Sequence, residues 1–470
     1  MTVLVKCVLG VSVVVVLTML MYDHQIRGYE FRSSVNKSFS TKNLTKVLLT
    51  VNADLAAISD NTDAELQNRT LQEIKNKLVA NLTIADLEKL VEMVQRNETL
   101  SAPNPQSGIG RPSTTSHKRV STTLISAALE KLKLFLLEEV TGTRFPELMN
   151  KAMEAYPGTN NGHPKTTKIV IVTTWRSGST FLEELLSSHP AVFDIYEPLL
   201  MYDLKRIREG PVALEAQGIV SNLLKCKYQE DSYMAIIKRI KNMMERNRDL
   251  HRQCKSPEYG LDICYDLKFL STACKLFPWT LMKLVRMKLE LMQPMLESST
   301  LSDGLQIIYL VRDPRAVINS RRSTVHWCKS STKDCASPSL LCQDMIDDIK
   351  TFKLFQEVFP GKVHLLRYED MANDPFNKTK QMLDAIGLDF NARIEEFLLT
   401  HTKTEVNNAW TTSRNTKKRL LYWTHKLPWS DVQEVQAACS SAMESYGYIP
   451  VQSLDKLTLN DVLRPLAGSI

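Results

Sequence analysis

The apolar run Ile169-Val170-Ile171-Val172 passes into Thr173-Thr174-Trp175-Arg176-Ser177-Gly178-Ser179-Thr180 and then Phe181-Leu182-Glu183-Glu184-Leu185-Leu186. No other stretch constrains this chain as tightly. A short β-branched run, a small-residue turn and a helical pattern predict a buried strand folding sharply into a helix. Such a turn gathers backbone N–H groups at a helix N-terminus, where the helix dipole favours negative charge. Arg176 adds a permanent cation with several donors, and Ser177, Ser179 and Thr180 add hydroxyls. This is the chemistry of a phosphate site.

The loop departs from G-x-x-x-x-G-K-[ST], since it lacks the first Gly and the Gly-Lys pair. No apolar strand ends in an unpaired Asp suited to hold Mg²⁺. An anion gripped by Arg, hydroxyls and backbone, without a metal, fits the residues better. A second run, Gln306-Ile307-Ile308-Tyr309-Leu310-Val311, predicts another buried strand ending at Arg312-Asp313-Pro314-Arg315. Pro314 suits the first position of a helix, which would carry Ser320 a little over two turns along. Arg312 and Ser320 can then hold one phosphate from two sides. Further strands are expected at 192–196 and 363–367, and strands alternating with helices indicate an α/β fold with a parallel sheet. The run 192–196 is expected beside the first strand. The region from Lys205 to Met295 is expected to be helical and to cap the sheet.

At these motifs the chain resembles the sulfotransferases, and more closely the Golgi carbohydrate 6-O-sulfotransferases. Arg176-Ser177-Gly178-Ser179-Thr180 is similar to their 5′-phosphosulfate element, with Phe181 completing it, and Leu310 to Ala316 with Ser320-Arg321 to their 3′-phosphate element. Tyr196-Glu197-Pro198-Leu199, Leu366-Arg367-Tyr368-Glu369-Asp370, and Cys439 with Tyr446-Gly447-Tyr448 match further segments of that family. The resemblance spans roughly Lys165 to Pro450 and implies a P-loop-like parallel sheet. It also implies 3′-phosphoadenosine-5′-phosphosulfate (PAPS) as donor, with no metal required. Sulfuryl transfer to the 6-hydroxyl of a sugar is implied, the nearest resemblance being to chondroitin N-acetylgalactosamine enzymes and the next to keratan-type galactose or N-acetylglucosamine enzymes. Under it, Arg176 stands beside the bridging oxygen of the leaving phosphate. Glu197, emerging past a strand end, is the expected base, with His189 as runner-up. Lys283 and Arg286 resemble a basic pair preceding the 3′ element, the plainer reading being a solvated helix face. Ser413-Arg414-Asn415 resembles a segment closing over the nucleotide, with Arg414 as a donor contact. Trp423-Thr424 departs from the family's Trp-Arg.

Residues 7–22 are apolar and end without a small-residue cleavage site, so a signal anchor is expected behind a cytoplasmic stub of residues 1–6. N-x-[ST] sequons at Asn36, Asn43, Asn68, Asn81, Asn97 and Asn377 point to the secretory lumen. Cysteine usage agrees: Cys7 lies in the anchor, and the eight others suit four disulfides in an oxidising compartment, pairing left open. Cys328 to Cys342 reads as a stapled surface loop. No C-x-x-C pair favours zinc. Together these predict a type II Golgi membrane protein with a glycosylated stem at 23–165, a catalytic domain at 166–452 and a tail at 453–470. The stem holds helical patterns, as at Leu129 to Val140, that offer a route to self-association. A net charge of +7 is mild for 470 residues and speaks against nucleic acid, while a local basic groove suits a nucleotide and an anionic glycan. A lumenal P-loop kinase and a silent glycan-binding protein are the readings from other classes.

Overall fold

A computed structural model describes residues 120–143, 167–255, 261–323, 331–403, 415–466 and 468–470, with Phe145, Glu147, Cys328 and Thr412. The expected anchor, the sequons before residue 100 and Arg414 lie outside the described residues. No described helix is long and apolar enough to cross a membrane.

Five strands form one parallel sheet: β1 (Thr167–Val172), β2 (Val192–Ile195), β3 (Trp279–Leu284), β4 (Leu305–Val311) and β5 (Val363–Arg367). Their order is β2-β3-β1-β4-β5. Ile169 to Val172 are wholly buried, as expected for a central strand covered on both faces. The chain runs from β1 to one side and later crosses over β1 to the other. A crevice therefore opens at the carboxyl end of β1, where α/β sheets of this kind bind ligands.

Two expectations fail at β3. The strand β2 does not lie beside β1, because β3 pairs with both: Ile169 faces Leu281, and Asp194 faces Leu281 from the other side. The region Lys205 to Met295 is helical only in part, since β3 runs through it. Trp279-Thr280-Leu281-Met282-Lys283-Leu284 has one β-branched residue and several good helix formers, so local preference points away from the strand that packing selects.

Helices Gly210–Leu224, Ser232–Arg239, Arg248–Cys254 and Leu267–Leu276 build the cap, stapled by Cys226–Cys274 and Cys254–Cys264. Cys328 pairs with Cys335, and Cys342 pairs with Cys439, joining the long helix Pro338–Val358 to the helix Trp429–Ser445. The expected staple of the 328–342 loop is thus closed within 328–335. The helix Thr122–Glu139, on sequence part of the stem, belongs to this body: Leu129, Leu132 and Leu136 are wholly buried, and Glu139 pairs with Arg393 at 2.9 Å. At the other terminus, Ile470 N donates to Leu365 O at the β5 edge.

Candidate functional site

The loop following β1 is held by three arginines, two from connecting segments and one from the helix Pro314–Ser323. Arg206 Nη1 donates to Thr173 O (2.7 Å), Arg321 Nη2 to Trp175 O (3.1 Å) and Arg312 Nη1 to Arg176 O (3.0 Å). These bonds take up the loop's carbonyls rather than its amides, and they put positive charge around the turn. Arg321 also donates to Thr174 Oγ1 at 2.6 Å; burial, then Arg206, pushes its pKa down to about 9. Arg176 has φ +70° and Gly178 φ +90°, so two left-handed residues make the turn. Gly178 is needed there twice over, since a Cβ would also collide with the Tyr368 ring. Gly178 caps the helix Ser179–Ser187, which sets Ser179 and Thr180 in its first turn, with Phe181 next and half-buried against Phe397.

The second element converges on the first. The helix Pro314–Ser323 starts where the sequence places it and carries Ser320 to the loop, where Arg176 Nε donates to Ser320 Oγ at 2.9 Å. The Arg312 guanidinium lies 4.3 Å over the Tyr368 ring, the same ring that backs Gly178. Glu369 accepts from Asp313 N and from Tyr448 Oη, each at 3.0 Å, tying the tips of β4 and β5 to the C-terminal block. Burial, then Asp313, raises the Glu369 carboxyl to about 7.

Glu197 stands two residues beyond β2, with φ +35° ahead of Pro198. A left-handed glutamate is uncommon, and such strain clusters at functional positions. With β3 between β2 and β1, Lys283 of β3 fills the gap. Its Nζ lies 3.2 Å from Glu197 Oε1, 3.4 Å from Thr180 Oγ1, 2.6 Å from Glu183 Oε2 and 4.1 Å from the Tyr196 ring centre. Arg286 Nη1 donates to Glu197 Oε2 at 2.7 Å. Lys283 and Arg286 are therefore buried at a strand end rather than on a solvated helix face. Burial alone would raise the Glu197 pKa; Lys283 and Arg286 outweigh it and hold the carboxyl below its usual value. The Glu183 carboxyl, buried in full, is raised to about 7 by burial against the pull of Lys283. The carboxylates in turn keep Lys283 protonated well above its ordinary range, against the burial that disfavours its charge.

His189 is placed elsewhere. It follows the far end of the loop helix, is wholly buried, and uses both ring nitrogens: Nε2 with Asp389 at 3.0 Å, and Nδ1 accepting from Ala191 N at 3.1 Å. Nine helical residues, ~14 Å of rise, separate it from the loop's anion end. It is a structural histidine, which corrects the runner-up reading.

A nucleotide with phosphate at both ends fits these residues. Ser177 Oγ and Arg312 Nε are buried donors with no hydrogen-bond partner among the described residues, one at each grip. Residues of both grips, with Arg206 and Asp348, line one small cavity under the loop. Among the described residues no His, Cys, Asp and Glu gather as a metal site. Sequence reasoning missed the parts played by Arg206, Arg321, Tyr368 and Glu183. Arg321, Tyr368 and Glu183 lie inside quoted stretches, though nothing local marks Glu183 as the partner of Lys283; Arg206 carries no local signal.

Comparison with known proteins bears on this crevice. The family model described as "Sulfotransferase domain" matches residues 166–447. Carbohydrate sulfotransferase 4 of Mus musculus is 25% identical over 322 residues, covering 61% of this chain and 82% of its own length. Carbohydrate sulfotransferase 5 of Homo sapiens is 26% identical over 357 residues, 65% of this chain and 84% of its own. Among solved structures, the sulfotransferase domain of the Synechococcus PCC 7002 olefin synthase aligns with TM-score 0.32 and 16% identity, over 61% of this chain and 97% of that one. The family match takes in all five strands and both grips, so the chain belongs to the sulfotransferases, enzymes that draw their sulfuryl group from PAPS.

Proposed function

We propose that this sulfotransferase acts on a glycan, moving the sulfuryl group of PAPS onto the 6-hydroxyl of a sugar, with N-acetylgalactosamine of chondroitin as acceptor. The curated relatives are named carbohydrate sulfotransferases, which supports a sugar acceptor. The observation that carries the reading is the bridge made by Lys283, which joins Thr180 of the loop to Glu197 across β3. A base and an anion cradle thus share one buried cation.

In this proposal Ser177, Gly178, Ser179, Thr180 and Phe181 seat the 5′-phosphosulfate end, and Arg312 with Ser320 seats the 3′-phosphate. Arg414, outside the described residues, closes over the nucleotide. The acceptor oxygen forms its bond to sulfur while the bond from sulfur to the bridging phosphate oxygen breaks. The hydroxyl proton passes to Glu197, and the electron pair leaves with the phosphate, beside Arg176. Positioning and charge stabilisation supply most of the acceleration in a displacement of this type. Glu197 enters ionised, and its proton affinity is met as the hydroxyl becomes acidic in the forming S–O bond. The setting is the Golgi lumen, behind an anchor at 7–22, with stem-mediated homo-oligomers as an accompanying expectation. Four disulfides support an oxidising compartment.

The deciding experiment is transfer of radiolabelled sulfate from PAPS to a panel of desulfated glycans, followed by disaccharide analysis. Label at the 6-position of N-acetylgalactosamine is the expected result. Label confined to galactose or N-acetylglucosamine overturns the chondroitin assignment, and no label on any glycan overturns the carbohydrate reading.

A further inference from the structure

We propose that Asn377 is an N-glycosylation site that accepts its glycan only before the catalytic domain folds. The inference rests on the lumenal reading above. Asn377-Lys378-Thr379 is the sequon that falls among the described residues, in the first turn of the helix Pro375–Ile386. Asn377 is exposed. Asp374 caps the helix, accepting from Asn377 N at 3.4 Å and from its amide Nδ2 at 2.8 Å. An amide carrying one sugar keeps one N–H, so this bond and the helix start can outlast modification.

Thr379 is the opposite case. It is 0% exposed, and its hydroxyl has no hydrogen-bond partner among the described residues. At 3.6 residues per turn, positions two apart lie about 200° round the helix. The amide therefore faces water while the hydroxyl faces the interior. A sequon is read as a unit, with the second residue after Asn required to be Ser or Thr, and the folded helix never presents both groups on one side. A buried threonine hydroxyl without a partner is also costly to keep. An apolar residue of that shape would suit the core better, so the hydroxyl has no evident use in the finished fold.

The reaction is transfer from a lipid-linked oligosaccharide pyrophosphate. A bond forms from Asn377 Nδ2 to the first sugar's anomeric carbon, the carbon–oxygen bond to the pyrophosphate breaks, and the amide nitrogen gives up one proton. Transfer competes with domain closure. The Asn36, Asn43, Asn68, Asn81 and Asn97 sequons precede every cysteine paired in the structure, so they serve as controls.

The full chain is expressed in cultured animal cells with and without a dithiothreitol pulse that delays disulfide formation, and site occupancy is read by mass spectrometry after enzymatic deglycosylation in heavy-oxygen water. The expected result is partial occupancy at Asn377 that rises under reductant while the controls hold steady, with one glycan's mass lost in Asn377→Gln. That variant should keep its sulfate-transfer activity. Occupied controls with Asn377 bare in both conditions overturn the proposal, as does Asn377 occupancy unmoved by reductant. Bare controls and a bare Asn377 overturn it together with the lumenal reading.

Discussion

Arg312 does two jobs with one side chain, pinning the Arg176 carbonyl and stacking on Tyr368, while its Nε stays buried without a partner among the described residues. Replacing it with Ala should weaken PAPS and its bisphosphate product by roughly 1.5–3 kcal/mol, about tenfold to a hundredfold in Kd. Glycan binding should change little, and titration calorimetry with each ligand checks both. Equal losses for nucleotide and glycan would remove the 3′-phosphate assignment. Glu197 is different in kind, since Lys283 and Arg286 already neutralise it. Glu197→Gln should lower kcat by roughly 10²–10⁴-fold, as for a lost general base, while donor binding persists. Single-turnover transfer alongside nucleotide titration separates the two effects. Near-normal turnover would move the base elsewhere.

Elements, rather than single residues, decide where these groups meet. The helix Thr122–Glu139 buries Leu132 completely against the body of the domain. Leu132→Ala should therefore cost about 2–5 kcal/mol of unfolding free energy, the range for emptying a core leucine site. Chemical denaturation of the soluble domain reads this out; a change near zero would return the helix to the stem. Glu369 joins β5, the start of the helix after β4 and Tyr448. Its carboxyl is raised from 4.5 to about 7, by burial first and Asp313 next, against Arg312. Between those values the folded chain binds more protons than the unfolded one. This contribution to stability is complete below about pH 4.5 and lost as pH rises through about 7. Glu369→Gln, neutral throughout, should show a smaller fall in Tm than the parent between about pH 5 and about pH 8. Identical profiles would mean the group is not buried as a neutral acid.

For the whole molecule, several guanidinium groups surround one crevice, and in the proposed mechanism they stand where a divalent cation stands in nucleotide triphosphatases. Arg206, Arg312 and Arg321 hold the loop, and Arg176 projects from it to Ser320. Sulfate transfer should accordingly keep its rate in excess EDTA, measured with radiolabelled PAPS at fixed ionic strength, whereas a kinase reaction with ATP would stop. Loss of transfer in chelator, restored by Mg²⁺, would contradict the metal-free mechanism. The same scale separates what could be read in advance from what could not. Ile169 to Val172 with the turn after it, and Ile307 to Val311 ending at Arg312, were legible because an apolar run meeting a small-residue or Arg-Asp-Pro turn has few other ways to fold. Strand β3 was not, because a buried Lys283 interrupts its apolar pattern and its Leu and Met residues favour helix in isolation. Arg206 and Glu183 were equally hidden, since their partners Thr173 and Lys283 are 33 and 100 positions away in the chain. By itself, the sequence determined the strand–turn–helix at Arg176 to Thr180, the Arg-Asp-Pro turn that starts the helix carrying Ser320, their order and the family, because those depend on neighbours along the backbone. Only the tertiary structure decided that β3 divides β2 from β1, that Lys283 links Thr180 to Glu197, and that His189 is sealed away, because charge pairs between distant segments form only once the sheet order brings them together.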